Sequence, residues 1–403
     1  MTPPTGHLLA RPGVICNLGA GLSEIGTRLL QGDASHLAAQ AGWLASRETA
    51  VGAVTHALPP FPAGVPPQLR SRNNQLLLAS ARQIEDSLRT AVDRYGPSRV
   101  GVVLGTSTSG VNDNAPAFTE LAATGAWPED YDYRRQSINA PAEFLSHWLS
   151  CCGPGYTLST ACTSSARALL SARRLLDLDL CDAVICGGVD TLCRLTLNGF
   201  ASLEAISSTP CLPFSANRQG INIGEACALF LMTRDDSALD GVRLLGGAGS
   251  SDAWHMSAPE PTGAGARQVM HKAVTDAGIA PEAIAWVNLH GTGTALNDAM
   301  ESHAMHAFFP AGVPCASTKG MTGHALGAAG ALEAALCWFT LSSENAGAIL
   351  PPHVWDGQPD PALPRLHFST KGQTLAPGVP RIAMSNSFAF GGNNTSLIFE
   401  GRP

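Results

Sequence analysis

Residues 156–170, YTLSTACTSSARALL, contain the transition from strand to helix around which the fold is predicted. The apolar and β-branched residues at the start favour a strand, and the small residues after Cys162 favour a helix that begins at or just after this cysteine. A second stretch at 317–333, STKGMTGHALGAAGALE, repeats the serine–threonine turn and the small-residue helix roughly 160 positions later. An echo of this length predicts two similar halves in one chain.

Outside these two stretches, short apolar runs alternate with longer helical patterns. Strands are predicted at 100–104, 183–185, 226–232, 284–289, 381–384 and 395–400. Helices are predicted at 74–95, 166–178, 265–277 and 327–340. Such alternation is typical of an α/β protein whose largely parallel or mixed sheet is covered by helices on both faces.

The composition argues against several classes of protein. Only 14% of the 403 residues are charged, where roughly 25% is typical. We therefore expect a large oligomer interface, unless the low charge reflects only an alanine- and glycine-rich composition. The net charge of −7 argues against binding to nucleic acid. No apolar run reaches the ~20 residues that span a bilayer, and the N-terminus lacks the pattern of a signal peptide, so we expect a cytoplasmic protein with no membrane partner.

No metal centre is expected from the 11 cysteines and the histidines. The chain has no CxxC pair of the kind found in zinc ribbons, and the histidines of HAMH at 303–306 lack a third ligand. The stretch at 19–26 does not have the GxGxxG spacing of a dinucleotide site. Most of the cysteines lie in apolar runs and are interpreted as small buried hydrophobic residues. Cys162 is the one to which we assign a different role.

Two turns carry a candidate nucleophile and a candidate donor. Cys162 lies at a helix start, where the dipole and the unpaired N–H groups favour the nucleophilic thiolate. The alternative is an ordinary buried cysteine. His290, in NLHGTGT at 288–294, follows a predicted strand and is either a neutral donor beside a ligand or a hydrogen-bonded loop histidine.

A third turn combines a lysine, a histidine and a more distant carboxylate. Lys319 and His324 open the helix of small residues, and such a helix is expected to pack very closely against a neighbour. Glu333 lies nine residues beyond His324 and is the predicted partner of Lys319. The alternative for Lys319 is a solvated surface charge.

The fourth turn, NSFAFGG at 386–392, offers a glycine-rich backbone that can aim N–H groups at a developing oxyanion. Its phenylalanines, Phe388 and Phe390, are either core aromatics or a gate over an acyl pocket. Together the four turns indicate acyl-transfer chemistry with stabilisation of a carbanion.

In this combination the sequence resembles the elongating β-ketoacyl-acyl-carrier-protein synthases, condensing enzymes of the thiolase-like superfamily. The resemblance is clearest in TACTSS, HGTGT, STKGMTGH and NSFAFGG, which occur in that order. It implies an α/β fold of five layers, αβαβα, that is internally duplicated. The half at 1–245 would carry the nucleophile, and the half at 246–403 would carry the two histidines and the lysine. Family members are usually dimers, which agrees with the low charge.

The resemblance also implies a reaction. Cys162 would take an acyl chain from acyl-carrier protein as a thioester, with its own N–H and that of Phe390 as the oxyanion hole. Malonyl-acyl-carrier protein would then lose CO2 beside His290 and His324. The resulting decarboxylative Claisen condensation would give β-ketoacyl-acyl-carrier protein. No cofactor is implied, because the substrates are carried on the phosphopantetheine of acyl-carrier protein.

The resemblance assigns supporting roles to further residues. The residues that organise the site are Lys319 and its partner Glu333. The hydroxyls that bind the pantetheine arm are those of Thr292 and Thr294. The structural acidic positions are Asp298 and Glu301. The gate and the acyl pocket consist of Phe388, Ala389, Phe390, Thr108 and Phe200.

Docking of the acidic carrier protein should depend on basic residues near the mouth of the site. Arg70 and Arg72 stand where relatives carry basic residues. The alternative for both is an arginine that is solvated or faces a dimer partner.

Several positions depart from the family pattern. The usual Asp of a Pro-Phe-Asp motif is replaced by Ser215, and the Asp of an Arg-Asp-Gly motif by Gln219. Ala389 replaces a Gly beside the gate, where the extra methyl restricts the backbone. Thr108 stands where a bulkier Ile is frequent. These departures predict a specialised acyl substrate, such as an aryl-polyene-like or polyketide intermediate.

The resemblance leaves the partner subunit open. The chain forms either a homodimer or a heterodimer with a related ketosynthase or a non-catalytic chain-length partner. Such a partner usually lacks the nucleophile, so Cys162 indicates the catalytic subunit. A thiolase would need a second cysteine in the turn at 386–392, and a chain-initiating synthase would carry Asn where His324 stands.

Overall fold

The computed structural model describes residues 6–45, 47–234 and 241–401. The strands are β1 (His7–Ala10), β2 (Gly13–Cys16), β3 (Gly19–Ala20), β4 (Ala38–Gln40), β5 (Thr49–Val51), β6 (Val100–Gly105), β7 (Gly155–Leu158), β8 (Ala183–Asp190), β9 (Ala226–Thr233), β10 (Gly241–Ser251), β11 (Trp286–Asn288), β12 (Pro314–Ala316), β13 (His367–Phe368), β14 (Ile382–Ala389) and β15 (Asn393–Glu400). The α-helices are α1 (Leu22–Gln31), α2 (Arg72–Gln83), α3 (Glu85–Tyr95), α4 (Ala115–Thr124), α5 (Ala140–Leu149), α6 (Ser164–Asp177), α7 (Arg194–Ser202), α8 (Ala264–Ala277), α9 (Ala295–Phe308), α10 (Lys319–Thr322) and α11 (Ala329–Leu341).

Strand pairing repeats between the two halves of the chain. In the first half, β9 pairs antiparallel with β2 and β8, β8 runs parallel to β6, and β6 runs parallel to β7. In the second half, β15 pairs antiparallel with β10 and β14, β14 runs parallel to β11, and β11 runs parallel to β12. The same pairing order in both halves confirms the expected internal duplication. An antiparallel pair of β1 and β10 joins the two half-sheets.

Helices form the other three layers. The helices that follow the matching strands β7 and β12 are α6 and α11, and they pack against each other between the half-sheets. One outer face is covered by α2 and α5, and the other by α8 with α9 packed on it. A Cβ added at Gly330 of α11 would lie 2.7 Å from the Cβ of Ala166, which explains why small residues are needed on the central helices. The five-layered αβαβα fold is confirmed.

The single helix predicted at 74–95 is two helices in the structure. At Ile84 the backbone leaves the helical region, with φ −127° and ψ 21°, and this residue separates α2 from α3. The side chain of Gln83 exchanges two hydrogen bonds with the main chain of Val14 in β2, at 2.9 and 3.0 Å. This tertiary anchor holds the end of α2, and the chain changes direction after it.

Other boundaries differ from the sequence prediction by smaller amounts. The helix predicted at 327–340 begins with a 3₁₀ turn at Leu326–Ala328 before α11, and the strand predicted at 183–185 extends to Asp190. The division proposed at residue 245 falls inside β10, at a bulge between Leu244 and Gly246. Because β10 pairs with strands of both halves, this division stays a prediction. Within the described ranges, no helix is both long and apolar enough to cross a bilayer.

Candidate active site

Cys162 lies in the turn that leads from β7 into α6. Cys162 is 7% exposed, and α6 begins two positions later at Ser164. Ala161 has φ 52°, a left-handed conformation that is strained for a residue with a Cβ. The Ser164 hydroxyl donates to the Ala161 carbonyl at 2.5 Å and accepts the Thr160 N–H at 2.9 Å. These local bonds hold the strained turn and fix the direction of the thiol.

His324 is in direct contact with the thiol. Its Nε2 lies 3.0 Å from the Sγ of Cys162, while its Nδ1 accepts the N–H of Leu326 at 3.3 Å. Burial, with a further contribution from Lys319, lowers the pKa of His324 well below its usual value, so the ring is neutral at pH 7. In a neutral ring whose Nδ1 accepts, the proton is on Nε2, and this N–H points at the sulfur.

His290 presents a second neutral donor. Its ring centroid lies 5.3 Å from that of His324, with the two planes at 83°. The Nζ of Lys319 is 3.4 Å from its Nδ1, which again leaves the ring proton on Nε2. Burial, followed by the charge of Lys319, lowers the pKa of His290 well below its usual value. The two imidazoles are therefore arranged as a pair of N–H donors.

The surroundings of Cys162 oppose the preference for a thiolate that its position at a helix start predicts. Burial raises the pKa of Cys162 to about 12, an effect that the nearby charge of Lys319 only partly opposes. The carboxylates of Glu333 and Asp190 act in the same direction as burial. The free enzyme therefore holds Cys162 as a neutral thiol, because desolvation of the anion outweighs the helix start.

Lys319 forms a buried ion pair with Glu333, as predicted. The lysine side chain is among the largest fully buried ones in the described chain, which rules out the solvated alternative. Its Nζ donates to Oε1 of Glu333 and, at 2.6 Å, to the carbonyl oxygen of His290. Burial raises the pKa of Glu333, and Lys319 opposes that rise. The pair thus connects α11 to the turn that carries His290.

Two carboxylates from α9 shape the turn that begins at His290. Glu301 accepts the N–H groups of His290 and Gly291 at 2.8 and 2.7 Å. Asp298 accepts the N–H of Thr292 at 3.1 Å and that of Gly293 at 3.2 Å. Burial raises the pKa of Asp298 to about 6 and that of Glu301 to about 8. Both residues hold the backbone and have no contact with the thiol.

One cavity joins these groups. Its polar wall includes Cys162, His290 and His324, together with Thr292 and Thr294. The hydroxyls of the two threonines lie 2.9 Å apart. The predicted nucleophile, donors and pantetheine-binding hydroxyls are therefore all in one chamber.

Aromatic residues also line the cavity. Phe200, Phe388, Ala389 and Phe390 all line the cavity. Phe390 is 37% exposed, and its ring lies 5.6 Å from that of Phe200. Phe388 is buried, and its ring lies 6.1 Å from that of His290. The N–H of Gly391, at φ 79°, donates to the carbonyl of Met256 at 2.8 Å. Phe390 thus stands at the opening, and Phe388 is part of the interior.

Three predicted positions lie elsewhere. Among the described residues, the cavity wall does not include Thr108, whose N–H and hydroxyl both donate to Asp190 at 2.8 Å. The guanidinium of Arg72 is paired with the buried carboxylate of Glu225, while the Arg72 side chain is 41% exposed, and docking at Arg72 stays a prediction. Arg70 is exposed, and its Nε donates to the carbonyl of Val65 at 3.0 Å. Docking at Arg70 stays a prediction.

Sequence reasoning missed Asp190, the last residue of β8. Its buried carboxylate accepts the N–H groups of Ser107 and Thr108, and also that of Gly327 at 2.6 Å. Gly327 belongs to the turn that follows His324, so Asp190 joins this turn to the loop after β6. A Cβ at Gly327 would lie 2.7 Å from a carboxylate oxygen of Asp190. The only signal in the sequence is an Asp that ends the apolar run 183–190.

Ser215 stands where the family pattern has an Asp, and in the structure it contacts the carboxylate of another residue. The Ser215 hydroxyl donates to Asp356 at 2.8 Å, and the amide of Asn217 donates to the same carboxylate at 2.7 Å. Asp356 supplies the negative charge that Ser215 lacks. The hydroxyl of Ser215 and the amide of Asn217 thus connect this loop to Asp356.

The three catalytic donor atoms are also close enough for a metal. The Sγ of Cys162 and the ring nitrogens of His290 and His324 all lie within 4.8 Å of one another. A metal would need a lone pair on the Nε2 atom of each histidine. Because the contacts of both Nδ1 atoms leave the ring proton on Nε2, neither Nε2 has a lone pair to offer. The arrangement is suited to donating hydrogen bonds to a substrate oxygen.

Comparison with known proteins identifies relatives in sequence and structure. The family described as beta-ketoacyl synthase, N-terminal domain, matches residues 38–238, and its C-terminal domain matches residues 243–353. The 3-oxoacyl-[acyl-carrier-protein] synthase 2 of Synechocystis sp. is 30% identical over 341 residues, which cover 80% of this chain and 79% of the relative. Nodulation protein E of Rhizobium meliloti is 30% identical over 75% of each chain.

Two solved structures are similar over nearly the whole chain. The ketosynthase ApeO of Xenorhabdus doucetiae, in complex with its chain length factor ApeC, has a TM-score of 0.91 and 43% identity, and covers 99% of this chain and 98% of that one. The ishigamide ketosynthase/chain length factor has a TM-score of 0.84 and 26% identity, with 99% and 100% covered.

Proposed function

The chain belongs to the beta-ketoacyl synthase family and is a condensing enzyme, and on that premise we propose which residues carry its reaction. The observation that supports the assignment is the convergence of Cys162, His290 and His324 on one cavity, with the Sγ and ring nitrogen atoms within 4.8 Å of one another. The substrates are acyl groups on the phosphopantetheine arm of an acyl-carrier protein, and the reaction needs no further cofactor. A cytoplasmic location stays a prediction.

Acyl loading is the first half-reaction. The sulfur of Cys162 attacks the thioester carbon of the acyl-carrier protein, the bond to the pantetheine sulfur breaks, and the thiol proton ends on the released pantetheine. The tetrahedral oxyanion accepts the N–H groups of Cys162 and Phe390. Because burial raises the pKa of the Cys162 thiol, the proton leaves Cys162 as the carbon–sulfur bond forms.

Condensation is the second half-reaction. The thioester oxygen of malonyl-acyl-carrier protein accepts the Nε2–H groups of His290 and His324, and loss of CO2 leaves an enolate held by both donors. The enolate carbon attacks the thioester of Cys162 and releases its thiolate, which takes one proton from solvent. Donors that are preorganised in a site with little water stabilise this charge more than water would.

Separate His290→Ala and His324→Ala variants test whether both histidines act as donors to the enolate. We expect condensation, measured as release of labelled CO2, to fall about 10²–10³-fold in each, because one enolate donor is lost. Acyl loading, followed by intact mass, should persist in His290→Ala. The matched control is His306→Ala, an exposed histidine on α9. Equal loss of loading and condensation in His290→Ala would contradict the proposed role.

A chain-length partner is part of the proposal. The relatives ApeO and the ishigamide ketosynthase were both solved with a chain length factor. This chain leaves aromatic side chains on its surface, including Phe118 and Trp127, with the Trp127 ring stacked 4.0 Å from that of Tyr131. We expect the active species to be a heterodimer with such a partner. A purified enzyme that has the mass of a homodimer and is fully active without a partner would contradict this expectation.

The acyl substrate is proposed to be conjugated. Phe200, Phe388 and Phe390 give the cavity flat aromatic faces against which a planar polyene can stack. We expect polyenoyl-acyl-carrier protein to be used with about two- to tenfold higher kcat/KM than the saturated acyl group of equal length. Phe200→Leu, which keeps an apolar wall without the ring, should remove the preference. Equal or better use of saturated chains by the unmodified enzyme would contradict this proposal.

A further inference from the structure

We propose that Asp190 is a positioning residue for the condensation step: by holding the peptide between Leu326 and Gly327, it keeps His324 in the tautomer that donates from Nε2. Among the described residues that line the cavity, Asp190 is absent, so its effect passes through the backbone. The proposal rests on the function proposed above, in which this Nε2–H group holds the enolate.

The carboxylate of Asp190 is fully buried, and both of its oxygens accept hydrogen bonds. Oδ1 accepts the hydroxyls of Thr106 and Thr108 at 2.7 and 2.8 Å, and the N–H of Thr108 at 2.8 Å. Oδ2 accepts the N–H of Gly327 at 2.6 Å and that of Ser107 at 2.9 Å. Burial raises the pKa of Asp190, and the hydrogen bonds from the loop after β6 oppose that rise. One carboxylate thus ties this loop to the turn that contains Gly327.

The turn after His324 is strained and has to be held. Leu326 has φ 49°, in the left-handed region that residues with a Cβ avoid. The N–H of Leu326 donates to Nδ1 of His324 at 3.3 Å, and the next N–H, of Gly327, donates to Asp190. Rotation of Leu326 to an ordinary φ would turn one of these two N–H groups away from its acceptor. The bond to His324 therefore depends on the bond to Asp190.

The main chain of His324 is held by other contacts. Its N–H donates to the carbonyl of Asn222 at 2.7 Å, and its carbonyl accepts the N–H of Gly224 at 3.0 Å. Loss of the Asp190 contact should therefore leave the histidine in place but free its Nδ1. A neutral imidazole with no partner at Nδ1 carries its proton on either nitrogen. Only the form protonated on Nε2 donates toward Cys162, whose Sγ is 3.0 Å away.

An Asp190→Asn variant breaks this contact selectively. The amide oxygen can face the hydroxyls of Thr106 and Thr108, which leaves the amide NH2 group opposite the N–H of Gly327, donor against donor. The matched control is Thr106→Val, which removes one hydroxyl from the same carboxylate and keeps the contact with Gly327. Because both variants lose a hydrogen bond in one buried network, both should be less stable than the unmodified enzyme.

The tautomer is measured by nitrogen NMR on enzyme that contains isotope-labelled histidine, with the signals of His324 identified by their absence from His324→Ala. We expect one form, protonated on Nε2, in the unmodified enzyme and in Thr106→Val, and a mixture of both forms in Asp190→Asn. Condensation is measured as CO2 release per loaded Cys162, counted by intact mass, so that inactive molecules do not contribute. This rate should fall about ten- to hundredfold in Asp190→Asn and less than about twofold in Thr106→Val, because a misplaced donor loses most of its effect.

A role in stability alone predicts a different result. It would lower the number of loaded sites in Asp190→Asn and leave both the rate per loaded site and the tautomer of His324 unchanged, and that result would overturn the proposal. An equal fall in Thr106→Val would overturn it as well. Failure of the unmodified enzyme to load Cys162 from any acyl-carrier protein would instead count against the proposed function, while the tautomer measurement would still decide the role of Asp190.

A second variant covers the case in which Asp190→Asn does not fold. Gly327→Ala breaks the same contact from the other side, since its Cβ would lie 2.7 Å from a carboxylate oxygen of Asp190, and we expect the same mixture of tautomers. If neither variant folds while Thr106→Val does, the contact is needed for folding itself, and the proposed positioning role is overturned.

Discussion

The Cys162→Ala variant is expected to accept no acyl group from any acyl-carrier protein. Its sulfur is the one in the described chain that faces both imidazole donors across the cavity. Removing a nucleophile leaves no covalent intermediate, and overall turnover should fall by at least about 10⁴-fold. Incubation with a panel of acyl-carrier proteins, followed by intact-mass measurement, would show an acyl mass increment on the unmodified enzyme and none on the variant.

The control for this experiment is the most accessible thiol. Cys152 is exposed on the loop between α5 and β7, and Cys152→Ala should load normally. Because the pKa of Cys162 is raised to about 12, its selectivity arises from delivery of the tethered thioester and not from a reactive thiolate. An acyl mass increment that persists in Cys162→Ala and disappears in Cys152→Ala would contradict the assignment of Cys162 as the nucleophile.

Breaking the buried ion pair is expected to have the largest effect on stability. Lys319→Met leaves the carboxylate of Glu333 buried without its partner, since the ammonium is its only cation and both side chains are at most 3% exposed in the structure. Such a change typically costs about 3–5 kcal/mol of the free energy of unfolding. Urea denaturation of the variant and the unmodified enzyme measures the difference.

The double variant Lys319→Met/Glu333→Leu separates stability from catalysis. Replacing both charges with apolar side chains of similar size should restore most of the lost free energy of unfolding. Condensation should remain impaired, because the hydrogen bond from Nζ to the His290 carbonyl is absent in both variants. As a control, Arg89→Met breaks an exposed pair with Glu85 and should cost less than about 1 kcal/mol. A single Lys319 variant as stable as the control would contradict the prediction.

The four reactive turns were predictable because each is a contiguous motif. Small residues around Cys162 and the Gly/Thr residues after His290 set the local backbone without help from distant segments. The duplication was also visible, since 156–170 and 317–333 contain the same order of turn and helix. In the structure these stretches lead into α6 and α11, which lie side by side between the half-sheets.

Two residues with predicted roles bind partners that are distant in sequence, and those roles stay predictions. Thr108 was assigned to the acyl pocket, yet its N–H and hydroxyl bind Asp190, 82 residues away in sequence. Arg72 was assigned to docking, yet it pairs with Glu225, which is 153 residues away. No local sequence pattern predicts either partner. The role of Asp190 beside the His324 turn was missed for the same reason, because three segments converge on one carboxylate.

The amino-acid sequence by itself determined which groups react and the order of the elements that present them, since covalent neighbours decide how each turn is built. Only the tertiary structure decided the state of those groups: a neutral thiol, two imidazoles that donate from Nε2, and a lysine already paired. Protonation depends on how much water surrounds a group, and here water is excluded by residues from both halves of the chain.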